Sequence, residues 1–110
     1  MVAFAPDPVP DWYASLAEAN FARPQTRRTF ASEGRDLGGE ADLDPSSISL
    51  PILVVQGDAD RLVPPAVAEA IQRRAPHAEL RRVPRAGHAI PITHAPWLAE
   101  AVVEFAGRTR

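Results

Sequence analysis

Acidic and imidazole side chains follow two short stretches of this 110-residue sequence, one aliphatic and one more polar. Asp58 and Asp60 come directly after the aliphatic run at residues 52–56, and His88 follows the run at residues 79–83. A histidine works as a general base when a carboxylate accepts its Nδ1 proton, which fixes the tautomer and stabilises the imidazolium that forms. The pairing of an acid at Asp60 with His88 therefore predicts two members of a catalytic triad, the acid and the histidine base.

The stretches that precede these side chains have the character of strands in an α/β fold. The continuous aliphatic run at 52–56 predicts a strand buried on both faces, and the more polar run at 79–83 predicts an edge strand. A helix is expected from Pro64-Pro65 to about Ala75, and another from about Ala95 to Ala106, with Gly107 after its end. This alternation of strands and helices predicts parallel strands.

The placement of the acid and the histidine fits that architecture. In an open parallel sheet, ligands and catalytic groups gather beyond the carboxyl ends of the strands. Asp60 and His88 both fall there, one after each predicted strand. Glycines precede them, and we expect Gly57 to turn the chain sharply out of its strand and Gly87 to swing His88 inward.

The first 47 residues have a different pattern. Asp11 is a favourable N-cap for a helix running to about Ala22, with aromatic and aliphatic side chains forming a broad apolar face. A second short helix is expected at residues 25–32, followed by a polar loop at 33–47. We therefore predict a helical, cap-like segment with a polar linker at residues 1–47 and an α/β core portion at residues 48–110.

Residues 48–110 resemble the C-terminal part of the α/β-hydrolase fold family. That family shows the pattern P-x-L-V-x-x-G-x-x-D-x-x-x-P, which is matched here by PILVVQGDADRLVP at residues 51–64. It continues with a Gly-His pair and a terminal amphipathic helix, which correspond here to Gly87-His88 and residues 95–106. The resemblance implies that Asp60 takes the acid position and His88 the base position. Asp58 competes for the acid position, and the family spacing makes it instead a turn residue that binds nearby backbone N–H groups.

The nucleophile of the family is not present in this sequence. It lies on a G-x-S-x-G elbow that precedes the acid, in the chain order Ser, acid, His. No serine upstream of Asp60 has glycine at both the second position before it and the second position after it; these serines are Ser15, Ser32, Ser46, Ser47 and Ser49. The resemblance therefore implies an esterase-like acyl hydrolase portion that is inactive alone.

Three functions are compatible with such a portion. The chain is a C-terminal fragment of a hydrolase gene, or half of a split hydrolase completed by a second chain, or a non-catalytic binding or interaction module. The family also includes other reactions than ester hydrolysis, and Asp60 and His88 do not distinguish among them. A two-stranded sheet leaves an apolar edge at residues 52–56, so we also expect self-association or pairing with a complementing chain through that edge.

The remaining histidines and the composition predict no cofactor and no metal site. His77 is expected in a surface loop. His94 is expected to cap the last helix or lie on the surface, and contact with a site near His88 is the alternative. There is no cysteine, and the net charge of −2 gives no electrostatic reason to expect nucleic acid or a membrane as partner. The first ten residues lack the features of a signal peptide, and a cytoplasmic location is expected.

Overall fold

The computed structural model describes residues 3–36 and 44–109, so part of the predicted loop at 33–47 lies outside the described residues. These residues belong to two compact units, which we describe separately. The sheet unit comprises residues 3–8 and 44–109, and the helical unit comprises residues 9–36. The cap-like role of residues 1–47 stays a prediction.

The helical unit contains two helices, α1 (Asp11–Phe21) and α2 (Pro24–Asp36). The prediction of Asp11 as N-cap is wrong, because Pro10 occupies that position and its carbonyl accepts hydrogen bonds from two amides of the first turn. The second helix extends beyond the expected residue 32. Ala31 and Glu33 have high helix propensity, and a polar composition, on which the loop prediction rested, does not by itself end a helix.

Among its described residues, the sheet unit contains two strands, three α-helices and a short 3-10 helix at Pro45–Ser47. Strand β1 (Leu53–Gly57) pairs in parallel with β2 (Glu79–Val83), with Leu53 opposite Glu79 and Gly57 opposite Val83. Helix α3 (Pro65–Arg74) connects the strands and packs against both of them. The predicted α/β class and the parallel pairing are therefore confirmed.

The end of the chain differs from the expectation in two respects. A short helix, α4 (Ile90–Thr93), precedes α5 (Ala95–Arg108) and was not expected. Gly107 lies inside α5 and not after it, so the prediction of a glycine stop is wrong. Its backbone is helical and its φ is not positive. A glycine that ends a helix is favoured because it adopts a positive φ, so that reason for glycine does not apply here.

The apolar core of the sheet unit lies around the chain that leads to His88. Val83, Ala86 and Ile90 are buried together, and Val55, Trp97 and Leu98 pack against them. Val83 ends β2 and Ile90 begins α4. Both ends of the loop between them, residues 84–89 and here called the histidine loop, are therefore held in this core. Among the described helices, none is long and apolar enough to cross a bilayer.

Candidate active site

The structure brings Asp60 and His88 together at the carboxyl ends of β1 and β2. Nδ1 of His88 lies 2.9 Å from Oδ2 of Asp60, within hydrogen-bonding distance. The Asp60 side chain is 5% exposed and the His88 side chain 43% exposed. The carboxylate is therefore shielded from water, while the imidazole remains accessible to a substrate or to another group.

The carboxylate of Asp60 is held by backbone as well as by His88. Its Oδ1 accepts hydrogen bonds from the N–H groups of Leu62 at 2.8 Å and Val63 at 2.9 Å. Burial raises the pKa of Asp60, but the hydrogen bonds from Val63, His88 and Leu62 outweigh it and hold the pKa below its usual value. Asp60 is therefore ionised near neutral pH, as an acceptor for an imidazole N–H must be.

Gln56, a site residue that the sequence analysis missed, holds the loop at residues 58–64 from inside the sheet. This loop contains Asp60 and is called the acid loop. Its side chain is buried, and Nε2 donates to the carbonyls of Gly57 at 3.0 Å and Val63 at 3.1 Å. The same nitrogen lies 3.3 Å from Oδ2 of Asp60, the oxygen that faces His88. The available signal was an amide in an otherwise aliphatic run, because a buried polar group requires partners.

Asp58 does not contact His88 through any hydrogen bond of the described residues. Its Oδ1 accepts a hydrogen bond from the backbone N–H of Arg85, 27 residues further along the chain. Arg85 has a φ of 59°, in the left-handed region. Asp58 thus binds a backbone N–H group as expected, but the group belongs to the loop before His88 and not to its own turn.

Gly57 and Gly87 are required by close contacts between the loops. A Cβ atom on Gly57 would lie 2.3 Å from the carbonyl oxygen of Gly87, and one on Gly87 would lie 2.4 Å from that of Ala5. Neither glycine has a positive φ. The chain does turn directly after Gly57, at Asp58 and Ala59, but without a backbone conformation that only glycine favours. The physical reason for glycine at both positions is the close approach of the backbones.

The histidine loop also contacts residues near the start of the chain. The N–H groups of His88 and Ala89 both donate to the carbonyl of Ala3 at 2.9 Å. The N–H group of Gly87 donates to Oδ2 of Asp7, also at 2.9 Å. No local pattern in the sequence indicates these contacts, because Asp7 and Gly87 are 80 residues apart.

A cavity of about 220 Å³ lies beside the Asp60–His88 pair. Its walls are mainly apolar and include residues from β1, from the acid loop and from α3, such as Val54, Val63, Val67 and Ile71. An apolar space next to a few convergent polar groups is typical of sites that bind small organic groups. The pair therefore faces an environment suited to an apolar portion of a substrate or of another polypeptide.

A comparison with protein families identifies the family of the chain. The family model for the alpha/beta hydrolase fold matches residues 2–95 of the chain. The chain belongs to the α/β-hydrolase fold family. The match includes both Asp60 and His88, and it extends upstream of residue 48, beyond the part for which the sequence motifs indicate a resemblance.

Several known proteins are similar in sequence to this chain. A pimeloyl-[acyl-carrier protein] methyl ester esterase of Xanthomonas campestris is 37% identical over 93 residues, which cover 83% of this chain. The enzyme of the same name from Vibrio cholerae is 32% identical over 95 residues, or 84% of this chain. The polyketide synthase ThaQ of Burkholderia thailandensis is 41% identical over 63 residues, 57% of this chain and 3% of that protein.

The chain spans little more than a third of the length of these esterases. The matched region corresponds to 37% of the Xanthomonas protein and 37% of the Vibrio protein. Both similarities cover most of the present sequence. The resemblance to an esterase-like hydrolase therefore holds for nearly the whole of the chain and for a part of the relatives.

Among the described residues, the other two histidines have no hydrogen bond to Asp60 or His88. His77 is exposed in the turn between α3 and β2, as expected. His94 occupies the N-cap position of α5, where its carbonyl accepts a hydrogen bond from the N–H of Leu98, but its side chain does not cap the helix. The Nδ1 of His94 instead lies 2.8 Å from Oγ1 of Thr93. In residues 3–36 and 44–109, no group of three or more His, Cys, Asp or Glu side chains could hold a metal ion.

Proposed function

We propose that this chain carries the acid and the base of an esterase-like acyl hydrolase, with His88 as general base and Asp60 as the carboxylate that orients it. The hydrogen bond between His88 Nδ1 and Asp60 Oδ2, at 2.9 Å, is the observation that supports this function. With the proton on Nδ1 donated to Asp60, the lone pair of Nε2 is free to accept a proton from a hydroxyl group.

In the proposed reaction, the oxygen of a nucleophilic hydroxyl group attacks the ester carbonyl while Nε2 of His88 takes the proton of that hydroxyl group. The resulting imidazolium is stabilised by the ionised Asp60 and then gives the proton to the leaving alcohol. Water repeats the sequence on the acyl intermediate, with His88 again as base. The low pKa of Asp60 supports this role, because a neutral carboxyl group would not stabilise the imidazolium.

The nucleophile and the oxyanion donors come from residues outside these 110. The sequence holds no G-x-S-x-G, the elbow that carries the nucleophile in the family. A histidine without a nucleophile contributes at most about 10²–10⁴-fold as a general base, and oxyanion stabilisation is often the largest single contribution. We therefore expect the 110 residues alone to show negligible esterase activity.

The free edge of β1 is the proposed attachment site for the nucleophile-bearing portion. In the described residues, β1 pairs only with β2. Leu53, Val54 and Val55 are only half-buried, although a continuous aliphatic run is typical of a strand that has neighbours on both sides. A strand added at this edge would lie next to the cavity that Asp60 and His88 border. That strand belongs to the same longer chain or to a complementing chain.

The names of the similar proteins suggest a substrate class. Two of the relatives are esterases named for a methyl ester of an acyl group on a carrier protein. We propose that a carboxylic ester with an apolar acyl chain is the substrate here, since the cavity beside His88 has mainly apolar walls.

A chimera tests the proposed function directly. The 93 residues of the Xanthomonas esterase that match this chain are replaced by the corresponding residues of this chain, and hydrolysis of an aryl ester is measured. We expect hydrolysis by the chimera, and we expect His88→Ala to lower kcat on the order of 10³-fold or more. His77→Ala serves as the matched control, because His77 is exposed and lies outside the pair. Equal activity of the His88→Ala variant and the parent chimera would contradict the proposal.

The chain alone provides the second arm of the experiment. The purified 110-residue protein is assayed with the same ester, and its association state is measured by light scattering. Negligible turnover together with self-association is the expected result, since the edge of β1 is free. Rapid, saturable turnover that His88→Ala abolishes would show that the nucleophile lies within these residues after all.

A further inference from the structure

Three consecutive backbone N–H groups around His88 donate to one short segment near the start of the chain. We call residues 3–7 the N-terminal segment. The Gly87 N–H group donates to the carboxylate of Asp7, and those of His88 and Ala89 donate to the carbonyl of Ala3, each at 2.9 Å. The peptide units on both sides of the His88 Cα are therefore bound to this segment.

The N-terminal segment is itself well anchored in the sheet unit. Phe4 is 1% exposed and is the largest fully buried side chain of the described residues. The carbonyls of Phe4 and Ala5 lie so near Gly87 that a Cβ atom there would be 2.8 and 2.4 Å from their oxygens. A buried aromatic ring and a backbone contact of this kind leave the histidine loop little freedom to move relative to the segment.

The acceptor at Asp7 differs from the acceptor of the other two hydrogen bonds because it is a charged side chain. The other two hydrogen bonds end on a backbone carbonyl, which any residue at position 3 would provide. A hydrogen bond from a backbone N–H to a carboxylate is stronger than one between neutral groups. Asp7 is also half-buried, so its contact with Gly87 is partly shielded from water.

We propose that Asp7 is a positioning residue for His88. It binds the N–H of the Ala86–Gly87 peptide, directly before the Gly87–His88 peptide, and so holds the loop with the imidazole at the angle at which Nδ1 meets Asp60. The consequence for catalysis rests on the proposed function, whereas the consequence for the ring of His88 does not. The imidazole is then aligned from two directions, by Asp60 at the ring and by Asp7 at the backbone.

The state of the His88 ring distinguishes positioning from a purely structural role. The ¹⁵N chemical shifts of the imidazole report which nitrogen carries the proton, and the contact with Asp60 requires it on Nδ1. A residue that only adds stability would leave these shifts unchanged in the folded protein. A residue that orients the ring would change them when it is replaced.

The experiment uses NMR on the full chain with three single variants. Asp7→Ala removes the acceptor, Asp7→Asn keeps a neutral acceptor, and Glu100→Ala removes an exposed carboxylate of α5 as the matched control. The imidazole ¹⁵N shifts of His88 and the hydrogen exchange of the Gly87 amide are measured for each. We expect exchange at Gly87 to accelerate about tenfold or more in Asp7→Ala. We expect His88 to lose part of its Nδ1-protonated population, while Glu100→Ala matches the wild type.

Asp7→Asn keeps the test decisive if Asp7→Ala does not fold. A neutral acceptor weakens the hydrogen bond, so we expect smaller changes of the same direction at Gly87 and His88. Shifts and exchange in Asp7→Asn that equal those of Glu100→Ala would overturn the proposal. In the chimera, Asp7→Ala is expected to lower kcat and leave KM nearly unchanged. If His88→Ala has no effect there but the NMR changes occur, the proposed function fails and the positioning stands.

Discussion

The sheet unit and the helical unit differ in how much apolar surface each one buries. All eight buried apolar residues of the described chain belong to the sheet unit. Helix α1 has no buried residue, and Trp12 and Phe30 of the helical unit are 61% and 62% exposed. Since burial of apolar surface is the main favourable contribution to folding, the sheet unit should be the more stable of the two units.

One tryptophan in each unit allows the two to be observed separately. Trp12 lies in α1, and Trp97 lies in α5 against the core around Val83 and Ile90. With Trp12→Phe as background, fluorescence reports the sheet unit, and with Trp97→Phe it reports the helical unit. These two backgrounds are called the sheet reporter and the helical reporter.

The largest expected difference in stability is between variants of two phenylalanines, the buried Phe4 of the sheet unit and the exposed Phe30 of the helical unit. Phe4→Ala should destabilise the sheet reporter by about 3–5 kcal/mol, because it leaves a cavity at a fully buried site. Phe30→Ala in the helical reporter should change stability by less than about 1 kcal/mol, since the ring is largely exposed. Urea unfolding measures both, and similar losses in the two units would contradict the difference in burial.

The glycines give the next effect. Gly57→Ala should destabilise the sheet reporter by about 3 kcal/mol, because its Cβ would lie 2.3 Å from a backbone oxygen of the histidine loop. Gly107→Ala is the control, with nothing within 4 Å of the added Cβ and a helical position that alanine favours. We expect it to be neutral or stabilising by up to about 1 kcal/mol. Equal thermal stability of the two variants would show that the close approach of the loops is not needed.

A smaller effect is expected from the buried amide in β1. Gln56→Leu should cost the sheet reporter about 1–3 kcal/mol, because the carbonyls of Gly57 and Val63 lose a donor. Gln25→Leu, at an exposed position of α2, provides the comparison in the helical reporter and should change little. A stabilising effect of Gln56→Leu in denaturant unfolding would mean that the apolar surroundings of Gln56 outweigh its hydrogen bonds.

The smallest effect is the pH dependence that Asp60 gives to the sheet unit. Its pKa is lower in the folded chain than the usual value of about 3.9 expected when unfolded. The ionised carboxylate therefore stabilises the fold above that value, and this contribution is lost as the pH falls through the folded pKa. The stability difference between the sheet reporter and its Asp60→Asn variant should be largest above about pH 5 and shrink in acid. A constant difference between about pH 2 and pH 6 would contradict the lowered pKa.

Much of the structure of the sheet unit could be predicted from the sequence because the sequence patterns that indicate it are local. The aliphatic run of β1, the proline before α3 and the positions of Asp60 and His88 after the strands are read within a few residues of each other. Parallel pairing of β1 and β2 then brings the two side chains together. The Asp60–His88 contact could therefore be expected without knowledge of the packing.

The contacts that fix this pair depend on long-range packing. Asp58 meets Arg85, and Asp7 meets Gly87, across 27 and 80 residues respectively. Neither turn chemistry nor periodicity indicates such pairs. In α1 the apolar face was visible in the sequence, but periodicity does not say whether such a face is covered. The exposure of Trp12 and Leu16 is thus a property of the tertiary structure that only the structure shows.

The central claim is that Asp60 and His88 act as one catalytic unit, and a double-mutant cycle in the chimera tests it most directly. The quantity measured is kcat for ester hydrolysis by the parent, Asp60→Asn, His88→Ala and the double variant. Residues that act together give strongly non-additive effects. The account predicts that the double variant is about as slow as His88→Ala alone. A double variant whose loss equals the product of the two single losses would contradict it.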